Sequence, residues 1–175
     1  MTPDDAVRMG LCTQMGREFA AHFQYLAMSA WLEDQGLPEL AGFFARQAEE
    51  EHGHAMKIFR YVIDTGGPVE IPAQEAPVGQ FASLEALVEA ALAQEEQVTR
   101  WIDDVVRLAR DHGDIATEAF MQWYVTEQVE EVATMTELLQ VVRHAGPSLL
   151  LVEDYVARRH PGAGSGQHPD RHRYW

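Results

Sequence analysis

The sequence is poor in cysteine and lacks long apolar runs. Its one cysteine, Cys12, has no partner for a disulfide within the chain, which favours a reducing compartment such as the cytoplasm. No apolar run approaches the ~20 residues that span a bilayer. The first residues contain neither the basic cluster nor the apolar run of a signal peptide. We therefore expect a cytoplasmic protein with no membrane partner.

Basic residues are also scarce. The 175-residue chain has 13 lysines and arginines against 28 acidic residues, for a formal net charge of −15. Proteins that bind nucleic acid rely on lysine and arginine to displace counterions from phosphates, so this charge argues against a nucleic-acid partner. It favours the attraction of cations, although acidity also serves solubility. The length suits a single domain with a substantial core.

Residues that start or stop helices divide the chain into five helical segments. Thr2 and Pro3 predict the N-cap and first turn of the first helix, and Gly36 predicts its end. Pro38 begins the second segment and Ser83 caps the third. The predicted helices are α1 over about 2–35, α2 over 38–66, α3 over 83–112, α4 over 114–146 and α5 over 148–159.

The connections between these helices predict the fold. Tight turns join α1 to α2 and α3 to α4, whereas residues 68–82 have no helical periodicity and are long enough to run the length of a bundle. The pattern predicts an all-α fold, a four-helix bundle with one long crossover plus a short fifth C-terminal helix. An extended coiled coil is the alternative, and the tight turns argue against it. We expect one domain over residues 1–160 and a flexible tail over 161–175, which is rich in glycine, proline and histidine.

A glutamate interrupts the apolar seam of each long helix near its middle. These residues are Glu18, Glu51, Glu95 and Glu131, and His54 follows Glu51 on the same helix face. One such glutamate alone is typical of a boundary side chain that reaches water. Four at similar depth, together with an E-x-x-H pair, are better explained by a shared buried site.

Buried carboxylates must be neutralised, and two means are available. Mutual repulsion would raise their pKa values and leave some of them protonated, whereas two divalent cations would bind them ionised. Oxygen-rich ligation with one imidazole suits iron or manganese better than a structural zinc site, which prefers sulfur and nitrogen. The sequence therefore predicts a dinuclear carboxylate metal site.

These motifs resemble those of a ferritin of the haem-free bacterial branch. The resemblance covers about residues 5–160 and rests on Glu18 with Tyr25, the run Glu50-Glu51-x-x-His54, Glu95, and residues 121–131. It implies a ferritin-like diiron domain in which Glu18 and His54 ligate one iron and Glu51 bridges. The second iron would be ligated by Glu95 together with Glu131.

The same resemblance implies roles for the neighbours of these ligands. Gln128 would hydrogen-bond to a ligand, and Tyr25 would donate a hydrogen bond or an electron. A third iron site would be formed with Glu131 by Glu50, Glu127 and Glu130. Haem is not favoured, because His52 stands where a bacterioferritin has its haem-ligating methionine.

The resemblance also implies a function. It is that of an iron-storage ferroxidase, which oxidises Fe(II) with dioxygen or peroxide and stores ferric mineral in a homo-oligomeric cage of twenty-four subunits. The alternatives are a bacterioferritin or rubrerythrin-like diiron protein, a redox-silent structural cage subunit, and a cargo subunit packed into another shell by its tail.

Overall fold

Five helices and their connections make up the computed structural model, which describes residues 4–161. The helices are α1 (Asp5–Asp34), α2 (Pro38–Asp64), α3 (Leu84–Asp111), α4 (Ile115–Ala145) and α5 (Leu149–Arg159). The described residues contain no strand, and none of their helices is both long and apolar enough to cross a membrane. The predicted four-helix bundle with a short fifth helix is confirmed, and residues 162–175 of the predicted tail lie outside the described range.

Local capping explains where the long helices begin. Ser83 Oγ accepts a hydrogen bond from the Ala86 amide at 3.1 Å, as its position predicted. The prediction of Thr2 as the N-cap of α1 is wrong. Asp4 holds that position, and its carboxylate accepts from the Ala6 amide at 2.8 Å. A carboxylate is favoured there because it also meets the positive end of the helix dipole.

The crossover between α2 and α3 is held against the outside of α1. Arg8 donates to the Pro68 carbonyl and to the Glu70 carboxylate, both at 3.0 Å. A Cβ atom at Gly16 would lie 2.7 Å from Pro72 Cγ, so glycine allows the close approach of the two segments. The crossover is therefore a packed strap along the bundle, although it has no regular secondary structure.

The apolar core is divided into two clusters, one toward each end of the bundle. One cluster contains Leu40 and Phe44 of α2 and receives α5, and the other contains Ile58 of the same helix. On every long helix the segment between the two clusters carries one of the four seam glutamates. The polar residues therefore form one buried layer across the middle of the bundle, as their matching depths predicted.

A carboxylate from α5 caps the N-terminus of α2. The N-cap residue Leu37 has no side-chain acceptor. Glu153, only 8% exposed, accepts from the amides of Glu39 at 3.0 Å and Leu40 at 2.8 Å. These bonds satisfy amides that the helix itself leaves unpaired, and they anchor α5 on the bundle.

Replacing Glu153 by alanine should loosen this junction. We expect a loss of about 1–2 kcal/mol, which corresponds to amide hydrogen exchange about 5–30 times faster at Glu39 and Leu40. Hydrogen exchange monitored by mass spectrometry measures this increase in rate. Asp154→Ala is the control, because this exposed neighbour pairs with Arg158 of its own helix and not with α2. Unchanged exchange in the Glu153 variant would show that the carboxylate does not hold the junction.

Candidate metal centre

The structure brings the predicted ligands into the buried layer from four different helices. Glu18 comes from α1, Glu51 and His54 from α2, Glu95 from α3 and Glu131 from α4, and none is more than 7% exposed. The seam glutamates therefore do not reach out to water. The antiparallel packing of long helices makes their midpoints coincide, so residues far apart in sequence meet there.

Glu18, Glu51 and His54 form the first of two ligand groups. One ligand atom from each lies within 4.8 Å of the other two. His54 Nδ1 is 3.3 Å from Glu51 Oε2. The Oε2 atoms of Glu18 and Glu51 are both buried, and neither accepts a hydrogen bond from an N–H or O–H donor among the described residues. The two carboxyl groups lie close enough to each other to share a proton. Such atoms are costly in a protein interior, and a cation held between them would offset that cost.

The second group consists of His54, Glu127 and Glu131, whose ligand atoms also lie within 4.8 Å of one another. His54 therefore belongs to both groups. Of the other predicted third-site residues, Glu50 is half-buried and accepts a hydrogen bond from Gln47, whereas Glu130 is exposed and belongs to neither group. The structure thus brings Glu127 to the centre but does not bring Glu130 there.

Glu95 is held by two neighbours. Tyr25 donates its hydroxyl to Glu95 Oε1, and Gln128 Nε2 donates to Oε2 at 3.2 Å and to the Glu95 carbonyl at 3.1 Å. Each carboxylate oxygen retains a further lone pair that a cation can use. Tyr25 and Gln128 therefore fix the direction in which Glu95 faces the centre.

Burial and mutual repulsion raise the pKa values of the carboxyl groups. The pKa of Glu18 rises well above its usual range because of burial and then because of the charge of Glu51. The pKa of Glu51 is raised in the same way, by burial and then by Glu95. Burial raises the pKa of Glu131 to about 8, with the charge of Glu95 as the next cause. Metal binding at neutral pH must therefore displace protons from the site.

The stability of the metal-free protein should fall between about pH 5 and about pH 8. Over this interval the folded protein keeps a proton on Glu131 that the unfolded chain has already released near its usual pKa of 4.5. The stabilisation by the neutral carboxyl is thus complete below that value and is lost as the pH passes through about 8. Zn²⁺ binds the ionised form, so the increase in Tm on adding Zn²⁺ should grow with pH.

Thermal unfolding at several pH values, with and without Zn²⁺, measures both trends. Glu131→Gln removes one of the titrating groups and should flatten the pH dependence of the metal-free Tm. The same change at the exposed neighbour, Glu130→Gln, should leave the slope as in the unmodified protein. A Zn²⁺-induced shift that is equal at all pH values would contradict proton displacement.

The sequence did not predict two residues that hydrogen-bond to the ligands Glu18 and His54. Gln14 is fully buried and donates to Glu18 Oε1 at 2.7 Å. Tyr124 donates its hydroxyl to the His54 carbonyl at 2.7 Å. The one available signal for Gln14 was its spacing of four from Glu18, which places both side chains on one helix face. For Tyr124 the seam position indicated burial but not the partner.

Comparisons with known proteins identify the family of this chain. The sequence pattern of the ferritin-like domain family matches residues 10–145. The ferritin BfrB of Mycolicibacterium smegmatis is 41% identical over 152 residues, which is 87% of this chain and 84% of the relative. A bacterial non-heme ferritin of Staphylococcus aureus is 38% identical over 120 residues, 69% of this chain and 72% of that protein.

The three-dimensional comparison gives the same result. An open pore ferritin from the archaeon Archaeoglobus fulgidus superimposes with a TM-score of 0.86 at 32% identity, covering 88% of this chain and 96% of that one. The likeness therefore extends over most of this chain. The chain accordingly belongs to the ferritin-like domain family, as a bacterial ferritin in a family that binds and stores iron.

Proposed function

We propose that this protein is an iron-storage ferroxidase, which oxidises Fe²⁺ to Fe³⁺ at a dinuclear carboxylate site within one subunit. The observation that carries the proposal is a pair of buried carboxylate oxygens beside His54, Glu18 Oε2 and Glu51 Oε2, which accept no hydrogen bond from an N–H or O–H donor in the described part of the chain. We further propose that the subunit acts in the cytoplasm and assembles into a homo-oligomeric cage of twenty-four subunits that encloses the ferric mineral.

The two irons are substrates, and each has its own ligands in this proposal. Glu18 and His54 hold the first iron, Glu95 and Glu131 hold the second, and Glu51 lies between them. The carboxylates favour Fe³⁺ over Fe²⁺, because oxygen anions stabilise the more highly charged ion more strongly. A cluster of acids in a water-poor layer therefore assists the loss of an electron from each iron.

The stoichiometry suits either oxidant. Two Fe²⁺ ions give up two electrons in becoming two Fe³⁺ ions. Dioxygen accepts two electrons and two protons to become hydrogen peroxide, and hydrogen peroxide accepts two electrons and two protons to become two water molecules. The protons that metal binding displaces from the raised-pKa carboxyls are available locally for this step.

Glu127 lies where the ferric product could leave the centre. Its carboxylate lies with the His54 imidazole and the Glu131 carboxylate in the second ligand group, while Glu127 remains half-buried rather than enclosed. We propose that Glu127, with Glu50, Glu130 and Glu131, forms a third iron position through which ferric ion leaves. The exposure of Glu130 suits a residue on the solvent side of that route.

Aerobic addition of Fe²⁺ to the purified protein tests the proposal. We expect the ultraviolet absorbance of ferric species to rise faster than in buffer alone, and light scattering to report a particle of cage size. Iron binding without faster oxidation would favour a redox-silent cage subunit, and Soret absorbance would favour a haem-binding relative. A small monomer that does not oxidise iron above the buffer rate would refute both parts.

A further inference from the structure

A chain of polar contacts leads from the surface of the bundle to the metal ligand Glu18. It begins with Gln14, which lies one helical turn before Glu18 on α1 and is fully buried. Gln14 Nε2 donates to Glu18 Oε1 at 2.7 Å. A glutamine side chain has an acceptor at one end of its amide and a donor at the other, so this bond depends on how the amide is turned.

Arg17 determines the orientation of that amide. Arg17 Nη1 donates to Gln14 Oε1 at 3.2 Å. A guanidinium group only donates, so it cannot face the NH₂ end of the amide. The carbonyl end of Gln14 must therefore face Arg17, and the NH₂ end is left for Glu18.

Arg17 is itself held in place from α3. Its guanidinium carbon lies 4.4 Å from the ring centroid of Trp101, a distance typical of a cation–π contact. The side chain is half-buried in the cleft between α1 and α3, opposite Asp104. The arginine thus joins the outer edge of the α1–α3 contact to the buried amide.

The consequence concerns which oxygen of Glu18 faces the metal. Oε1 is occupied by the Gln14 amide, whereas Oε2 is buried and accepts no hydrogen bond from an N–H or O–H donor among the described residues. We propose that Gln14 and Arg17 are positioning residues that orient Glu18 so that Oε2 is offered to the iron, and that Arg17 acts mainly through Gln14. This inference rests on the proposed function, because it concerns the same site.

Co²⁺ binding to the metal-free, full-length protein tests the inference, with three variants compared by visible absorption titration. Gln14→Leu removes the amide at similar volume and should weaken Co²⁺ binding about 10–100-fold, the usual effect of losing a residue that orients a metal ligand. Arg17→Met keeps an aliphatic contact on Trp101 but loses the donors. It should weaken binding about 3–10-fold.

The double variant separates positioning from a general effect on the fold. The charge of Arg17 also acts directly on Glu18. Because Arg17 acts mainly through Gln14, adding Arg17→Met to Gln14→Leu should cause a much smaller loss than Arg17→Met causes alone. The Co²⁺ absorption spectrum should change in the same way in all three proteins. Arg107→Met is the matched control, since this exposed arginine pairs with Asp104 beside the same cleft and should bind Co²⁺ like the unmodified protein.

Each outcome has one meaning. If the unmodified protein does not bind Co²⁺, the proposed metal site is wrong. If it binds and both single variants bind equally well with the same spectrum, the positioning roles are wrong. Losses that add in the double variant would overturn the claim that Arg17 acts through Gln14. Arg17→Met lies near the surface and gives a result even if Gln14→Leu does not fold.

Discussion

The rate of Fe²⁺ oxidation should fall by more than about 100-fold when Glu51 is replaced by alanine. Changes that only disturb the orientation of a metal ligand cost about 10–100-fold, and removal of the carboxylate between two irons should exceed that. Glu51 is 1% exposed and shares its ligand group with Glu18 and His54. Stopped-flow ultraviolet absorbance of ferric species measures the effect.

Glu49→Ala is the matched control for that experiment. Glu49 lies on the same helix two residues earlier and is exposed, so the variant loses the same charge outside the buried layer. We expect it to oxidise iron at the rate of the unmodified protein. Glu51→Gln keeps the side-chain volume and should be as slow as Glu51→Ala. Fast oxidation in both Glu51 variants would remove the site assignment.

Replacing Glu131 by methionine should make the metal-free protein more stable while it stops fast iron oxidation. Burial raises the pKa of this carboxyl to about 8, so near that pH the fold bears the cost of a charge with poor solvation. Apolar residues of similar size often stabilise a protein when they replace buried charges. We expect a gain of roughly 2–5 kcal/mol, or roughly 5–20 °C in Tm.

Scanning calorimetry at fixed protein concentration, after removal of metal, measures this gain. The same substitution at the exposed neighbour, Glu130→Met, should not raise the Tm. Zn²⁺ should raise the Tm of the unmodified protein but raise that of Glu131→Met less, because one ligand is gone. A metal-free Tm that is unchanged or lower in Glu131→Met would show that the buried carboxyl group does not destabilise the metal-free protein.

These two predictions share one physical basis. The buried layer is unfavourable for the fold by itself and favourable for binding cations, so function and stability oppose each other there. The opposition is measurable because the ligands come from four helices and can be replaced one at a time. The cation-binding role also explains why a layer of polar residues separates the two apolar clusters of the core.

Much of the architecture was predictable, because it depends on local chemistry. Ser83 caps its helix as expected, and the four seam glutamates are buried at the shared depth that their spacing indicated. The error at the start of α1 arose because threonine and aspartate both serve as caps. Within residues 4–161 the carboxylate of Asp4 makes the capping bond, and Thr2 lies outside that range.

Contacts between helices were less predictable. Glu153 caps α2 from 113 residues away, and nothing near Leu40 in the sequence indicates this. Arg17 and Trp101 meet only because α1 packs on α3. The sequence also did not indicate which residue of the predicted third site lies nearest His54. The structure brings Glu127 there and leaves Glu130 exposed.

By itself the sequence determined the number of helices, their boundaries to within a few residues, and the depth at which each seam carries a glutamate. These properties follow from helix periodicity and capping, which act over a few residues. Only the tertiary structure decided which oxygen atoms remain unpaired, which partner fixes Glu18, and that His54 belongs to two ligand groups. Those properties depend on the relative rotation of packed helices, and a rotation changes every contact without changing any local pattern.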